Sequence, residues 1–126
     1  MKKIPSSLRY WFVAHFVIDF LFAIPLLVAP MATLNFLGLE ITTPEATLLA
    51  RLVGAALIGI GGTSLLANKK GPESYNTLLT LKILWSNMAL LAILISILEG
   101  APDQIWGLFA IFFVFAIVWI YYKKKI

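Results

Sequence analysis

Two side chains able to hold or pass a proton, His15 and Asp19, stand one helical turn apart in the stretch YWFVAHFVIDFLFAIPLL, residues 10–27. The surrounding residues are apolar enough for lipid, so the pair raises two chemistries: a hydrogen-bonded clamp between helices, or a site that exchanges protons with a solute. On insertion scales a central Asp costs ~2.5–3.5 kcal/mol, and each Leu, Ile, Phe or Val returns ~0.3–0.6 kcal/mol. The apolar residues around Asp19 can offset that cost, but its carboxyl must then face other helices or a cavity and find a partner there. His15, four residues before it, can donate a hydrogen bond to it.

Two cations within apolar segments are the other candidate partners for Asp19. Arg51 shares a stripe with Ala55, Gly59 and Thr63, spaced four apart. The last three are small, a surface that lets another helix approach closely, so this stripe reads as helix packing and Arg51 as its anchor. Lys82 shares a stripe with Ser86 and Ala89, and Thr80 and Asn87 lie on another face of the same segment. Lys82 is near enough to the segment start for its long stem to snorkel to water. His15, Asp19, Arg51, Lys82 and Asn87 thus form the candidate intramembrane polar site. Spacing alone does not choose among the three partners of Asp19.

Other chemistries find no residues. Cysteine is absent, which excludes disulfides, thiolate metal sites and thiol nucleophiles. A single His offers no metal or haem pair within one chain, so no metal and no cofactor is expected. One His and one Asp without a nucleophile make an incomplete set for an enzyme, and a non-enzymatic protein is expected.

The elements that must position these side chains are four apolar segments, at about 8–30, 47–67, 75–98 and 105–122. Each is close to the ~20 residues a helix needs to cross ~30 Å of hydrocarbon. With 61% hydrophobic and 13% charged residues in 126, the chain is too apolar for a small soluble domain. The fold expected is therefore all-α, a single integral membrane domain of four transmembrane helices. The opening MKK resembles the start of a signal peptide, but the apolar run after it is too long for one and is read as a retained helix. MATLNFLGLEITTPEA is read as a loop that lies in the interface or re-enters. Thr43, Pro44 and Glu45 within it suit a helix start, and NKKGPES and EGAPDQ supply the remaining turns.

Charge sets the orientation. Lys2, Lys3 and Arg9, then Lys69 and Lys70, then Lys123, Lys124 and Lys125 mark three basic regions, while the other two loops carry Glu40, Glu45, Glu99 and Asp103 and no Lys or Arg. With four spans the basic regions share one side, so both termini are expected to be cytoplasmic. The formal charge of +4 is explained by this bias and calls for no nucleic acid. Tyr10, Trp11, Tyr75, Trp106, Trp119, Tyr121 and Tyr122 fall near the expected interfaces, as amphipathic rings do. The run LFAIFFVFAIVW reads as lipid-facing or packing surface. The terminal KKKI reads as a positive anchor, or as a dilysine endoplasmic-reticulum retrieval signal in a eukaryote.

The size, the cytoplasmic termini and the segment ARLVGAALIGIGGTSLLA, residues 50–67, resemble the DoxX-like group of small bacterial membrane proteins. That resemblance implies a four-helix protein of the bacterial cytoplasmic membrane and brings no catalytic residue with it. A small multidrug exporter would share the four helices and an acid in the first, but LLTLKILWSNMALL lacks its third-helix aromatic pattern. The fluoride-channel motif is missing too. The function expected is a structural or accessory subunit in the lipid bilayer, as a homo-oligomer or with a partner membrane subunit. The alternative is a proton-coupled transporter of a small lipophilic or cationic solute using Asp19.

Overall fold

The computed structural model describes residues 3–40 and 43–126. Lys2 of the basic N-terminal tail and Ile41 and Thr42 of the first loop lie outside the described residues. The chain folds as an all-α bundle with four long apolar helices: α1 (Ser6–Val28), then a short α2 (Pro30–Phe36), α3 (Pro44–Leu66), α4 (Pro72–Leu98) and α5 (Ile105–Lys125). Four of the five, all but α2, are long and apolar enough to cross a membrane. A 3-10 turn, Ala67–Lys69, joins α3 to α4.

Local chemistry sets these boundaries. Thr43 caps α3 by accepting a hydrogen bond from the Ala46 amide at 3.3 Å, with Pro44 at the first helical position and Glu45 in the first turn. Helix α4 shares the proline and the acid, Pro72 at its start and Glu73 in its first turn, but follows Gly71, which brings no side-chain cap. Pro30, which biases Ala29 away from helical geometry, ends α1 and begins α2. The first half of the apolar stretch LNFLGL, through Phe36, is therefore helical rather than loop, and the rest turns the chain. Both α2 and α4 stop at a glycine with positive φ, Gly38 and Gly100. In each case paired backbone bonds close the end, as in Leu39 N to Leu34 O at 2.9 Å and Ala101 N to Ser96 O at 3.0 Å.

The helices pack as two close pairs, α1 along α3 and α4 along α5. Two apolar clusters form the core, the first between the pairs and the second chiefly where α2 and α3 pack on α1. One joins Leu8, Phe12, Ala67, Tyr75, Leu79, Trp119 and Tyr122. The other joins Ala23, Leu26, Leu34, Ala50 and Leu57, with Trp85 against it.

The three basic regions meet at the first cluster's end of the bundle. There Tyr122 Oη donates to Ser7 Oγ at 2.6 Å, the Arg9 guanidinium lies 5.2 Å from the Tyr75 ring centre, and Lys123 Nζ reaches Asn76 Oδ1 at 2.6 Å and Thr80 Oγ1 at 2.9 Å. The start of α1 and the end of α5 thus lie at one end. The acidic loops meet at the other, where the Gln104 side chain covers Gly38 so closely that an added Cβ would lie 2.7 Å from Gln104 Oε1. Helix α5 continues through Lys125, so Lys123 and Lys124 of KKKI belong to a helix and Lys123 is engaged with α4.

Candidate functional site

Between the two apolar clusters lies a thin polar layer. Helix α1 buries Leu8, Phe12, His15, Asp19, Ala23 and Leu26 at spacings of three and four, which places His15 and Asp19 at its middle. Helix α3 buries Ala50, Gly54, Leu57, Gly61 and Ser64, and α4 buries Tyr75, Leu79, Lys82 and Ser86. Helix α5 closes the layer with Phe115 and Trp119. The polar members are almost sealed: His15 is 3% exposed, Asp19 6%, Lys82 1%, Ser86 1% and Ser64 0%.

Lys82 is the hub. Its Nζ lies 2.5 Å from His15 Nδ1 and donates to Ser64 Oγ. Ser64 Oγ in turn donates to the Ile60 carbonyl at 2.9 Å, so its hydrogen is committed and its lone pair faces the lysine. The ammonium also sits over two rings, 4.8 Å from the Phe12 centre and 5.0 Å from that of Trp119, an arrangement that attracts a cation through the ring quadrupole. With Lys82 as the donor, His15 Nδ1 is the acceptor, which leaves the ring hydrogen on Nε2. Nε2 faces Asp19 Oδ2 at 3.3 Å. That approach is an ion-pair contact without hydrogen-bond alignment, and Asp19 Oδ2 accepts no hydrogen bond. The His15 ring is held against Phe115 at 4.8 Å and Trp119 at 5.2 Å between centres.

Gly61 makes room for the carboxyl. A Cβ at this position would lie 2.8 Å from Asp19 Cβ and 3.2 Å from Oδ2, so α3 backbone forms one wall of the layer. Polar contact therefore runs Ser64, Lys82, His15, Asp19 across three helices. It links the α1–α3 pair to α4, and Trp119 brings in α5.

Of the three candidate partners, His15 and Lys82 join Asp19 and Arg51 does not. Lys82 does not snorkel: its stem turns inward because the acceptors and rings lie on the bundle side. Arg51 is exposed, and its Nε donates to the Leu27 carbonyl at 3.2 Å. Leu27 is in the last turn of α1, whose carbonyls have no helical partner, so Arg51 serves as a C-terminal cap. Asn87 bonds the Ile83 carbonyl of its own helix at 2.8 Å and stays outside the layer.

The stripe Ala55, Gly59 and Thr63 is exposed and does not pack within the chain. No atom lies within 4 Å of a Cβ built at Gly59, and Thr63 bonds back to the Gly59 carbonyl at 2.6 Å. The packing face of α3 is turned about one residue, to Gly54, Gly61 and Ser64. Small residues occur on both faces, and the need to meet Asp19 and Lys82 selects the second. Trp119 and Tyr75 are also not interfacial rings. Both are fully buried, whereas Tyr10 is 76% exposed. Spacing signals the aromatic wall: Phe115, Trp119 and Tyr122 recur at four and three residues, one face of α5.

Two surface grooves lie away from the layer. One, lined by Thr63, Leu66, Lys70, Glu73 and Thr77, sits at the α3–α4 connection. The other, lined by Leu21, Pro25, Thr33 and Phe36, sits between α1 and α2. Among the described residues no group of three His, Cys, Asp or Glu could hold a metal ion. Comparison with family models, with curated proteins and with solved structures gives no match to this chain.

Proposed function

We propose that this membrane protein is a structural or accessory subunit without an enzymatic site, in which the polar layer locks the α4–α5 pair onto the α1–α3 pair. The observation that carries this reading is the sealed state of the layer: Lys82, His15 and Asp19 are packed beneath Phe12, Phe115 and Trp119, and neither groove is lined by any of the three. Buried ionic groups in lipid are costly, and a cation held by three helices returns that cost as a fixed arrangement of spans. The outward small face of α3, including Ala55 and Gly59, suits close approach by a second transmembrane chain. The DoxX-like likeness of residues 50–67 and a place in the bacterial cytoplasmic membrane, with the basic end cytoplasmic, belong to this reading.

The test is cross-linking in native membranes followed by mild-detergent purification. A homo-oligomer or a stoichiometric partner chain is expected, and a strictly monomeric protein that carries nothing with it overturns the accessory role. One observation favours a second reading, proton-coupled transport of a small lipophilic or cationic solute. Asp19 Oδ2 is buried and accepts no hydrogen bond, which leaves it free to take a proton. Flux into proteoliposomes should then depend on pH and collapse in Asp19→Asn, and unchanged flux in that variant removes Asp19 from any such mechanism.

A further inference from the structure

The geometry points to a binding site for primary alkylammonium ions at the position of the Lys82 Nζ, with the lysine as its tethered occupant. Two acceptors and two ring faces surround that nitrogen, and all four belong to other helices. Ser64 Oγ comes from α3, His15 Nδ1 and the Phe12 ring from α1, and the Trp119 ring from α5. Only the cation comes from α4. The walls are therefore complete without Lys82, as those of a receptor are.

The donor pattern sets the ligand class. A primary ammonium carries three N–H donors and no acceptor. Two of them match Ser64 Oγ and His15 Nδ1, and the charge sits over two aromatic faces. A quaternary ammonium has no N–H, and its methyl groups would meet acceptors placed for direct hydrogen bonds. The carboxylate of Asp19 supplies the counter-charge one imidazole away, with an oxygen that lies 3.3 Å from His15 Nε2 and accepts no hydrogen bond.

The inference goes beyond either functional reading, because a replaceable cation binds amines whether or not the protein carries them across the membrane. It is tested in the full chain by Lys82→Ala, which deletes all of the side chain beyond Cβ and leaves room for n-propylammonium, its missing part. Thermal midpoints in detergent are measured against n-propylammonium, tetramethylammonium, sodium chloride and n-propanol. A saturable rise with n-propylammonium alone is expected, since a ligand that binds only the folded state stabilises it by mass action. Tethering gives Lys82 an effective concentration in the millimolar range or above, so wild type should require roughly 10²-fold more amine for any response.

The double variant Asp19→Asn with Lys82→Ala should lose at least about tenfold in half-saturation, the loss of one desolvated charge partner. Equal stabilisation by n-propanol would show an apolar cavity only and overturns the proposal. Should Lys82→Ala aggregate in sodium chloride, recovery of monodisperse protein in n-propylammonium becomes the readout, with Lys82→Met as the variant that keeps the stem without the charge. Aggregation of Lys82→Ala in all four solutions while Lys82→Met folds overturns the proposal as well. Aggregation of both variants in every solution also does so, because an occupied site would restore the fold.

Discussion

Replacing Gly61 by Ala puts a methyl group where α1 and α3 touch. Its carbon would lie 2.8 Å from Asp19 Cβ. Carbon atoms in contact keep about 3.5–4.0 Å apart, so the two helices must separate locally by roughly 1 Å. A rotamer change cannot relieve the clash, because Cβ is fixed to the α1 backbone. Overpacking of this kind costs about 1–3 kcal/mol. Against it stands the higher helix propensity of Ala over Gly, worth up to ~1 kcal/mol. Gly59→Ala supplies the control, since it gains the same propensity and meets no atom within 4 Å. The two variants should therefore differ by about 1–3 kcal/mol, with Gly61→Ala the less stable. Reversible unfolding by denaturant in detergent micelles, followed by tryptophan emission, gives the comparison directly. Equal stability of the two variants would refute the close approach of α3 to Asp19, and with it the placement of the polar layer.

Other outcomes follow from the same packing. Gly54→Ala meets Ala23 O and Leu27 Cγ at 3.1 Å, a milder conflict, and its stability should fall between those of Gly61→Ala and Gly59→Ala in the same titration. Tyr122→Phe removes the hydroxyl that donates to Ser7 and should cost about 0.5–1.5 kcal/mol, seen as earlier hydrogen exchange at the start of α1. Because the chain has no cysteine, single cysteines at Lys70 and Glu99 report sidedness with an impermeant maleimide. They should label from opposite faces of the membrane, Lys70→Cys from the cytoplasmic one, and labelling from the same face would break the four-span topology.

The spans were legible because length, proline and turn residues mark each of them, and Thr43 capped α3 where its neighbours said it would. The short α2 was not legible, because an apolar stretch between two spans looks like interfacial loop when read by composition, and Pro30 at its first position reads as the end of the first span. The polar layer was harder. Lys82 has a stem long enough to reach water or core, and only the positions of Ser64, Phe12 and Trp119 decide its direction. On α3, residues 54 and 55 and residues 61 and 62 are all Gly or Ala, so spacing offers two small faces about 100° apart and no means to rank them. Trp119 lies near the basic end, where an interfacial ring and a buried one have the same sequence address.

The order of the helices along the chain has a consequence for how the protein is made. Synthesis runs from the N-terminus, so α1 and α3 enter the bilayer before α4 exists. Their close pairing is made between residues of the first half of the chain. In that half-made state Asp19 is shielded by Gly61 and attended by His15, but the ammonium that completes the layer has yet to leave the ribosome. Lys82 then arrives at a socket that α1 and α3 have begun and that Trp119 of α5 closes last. A chain truncated before residue 82 would leave His15 and Asp19 in the membrane without their cation and without the aromatic cover of α5, an exposed polar defect of the sort that membrane quality control is equipped to detect.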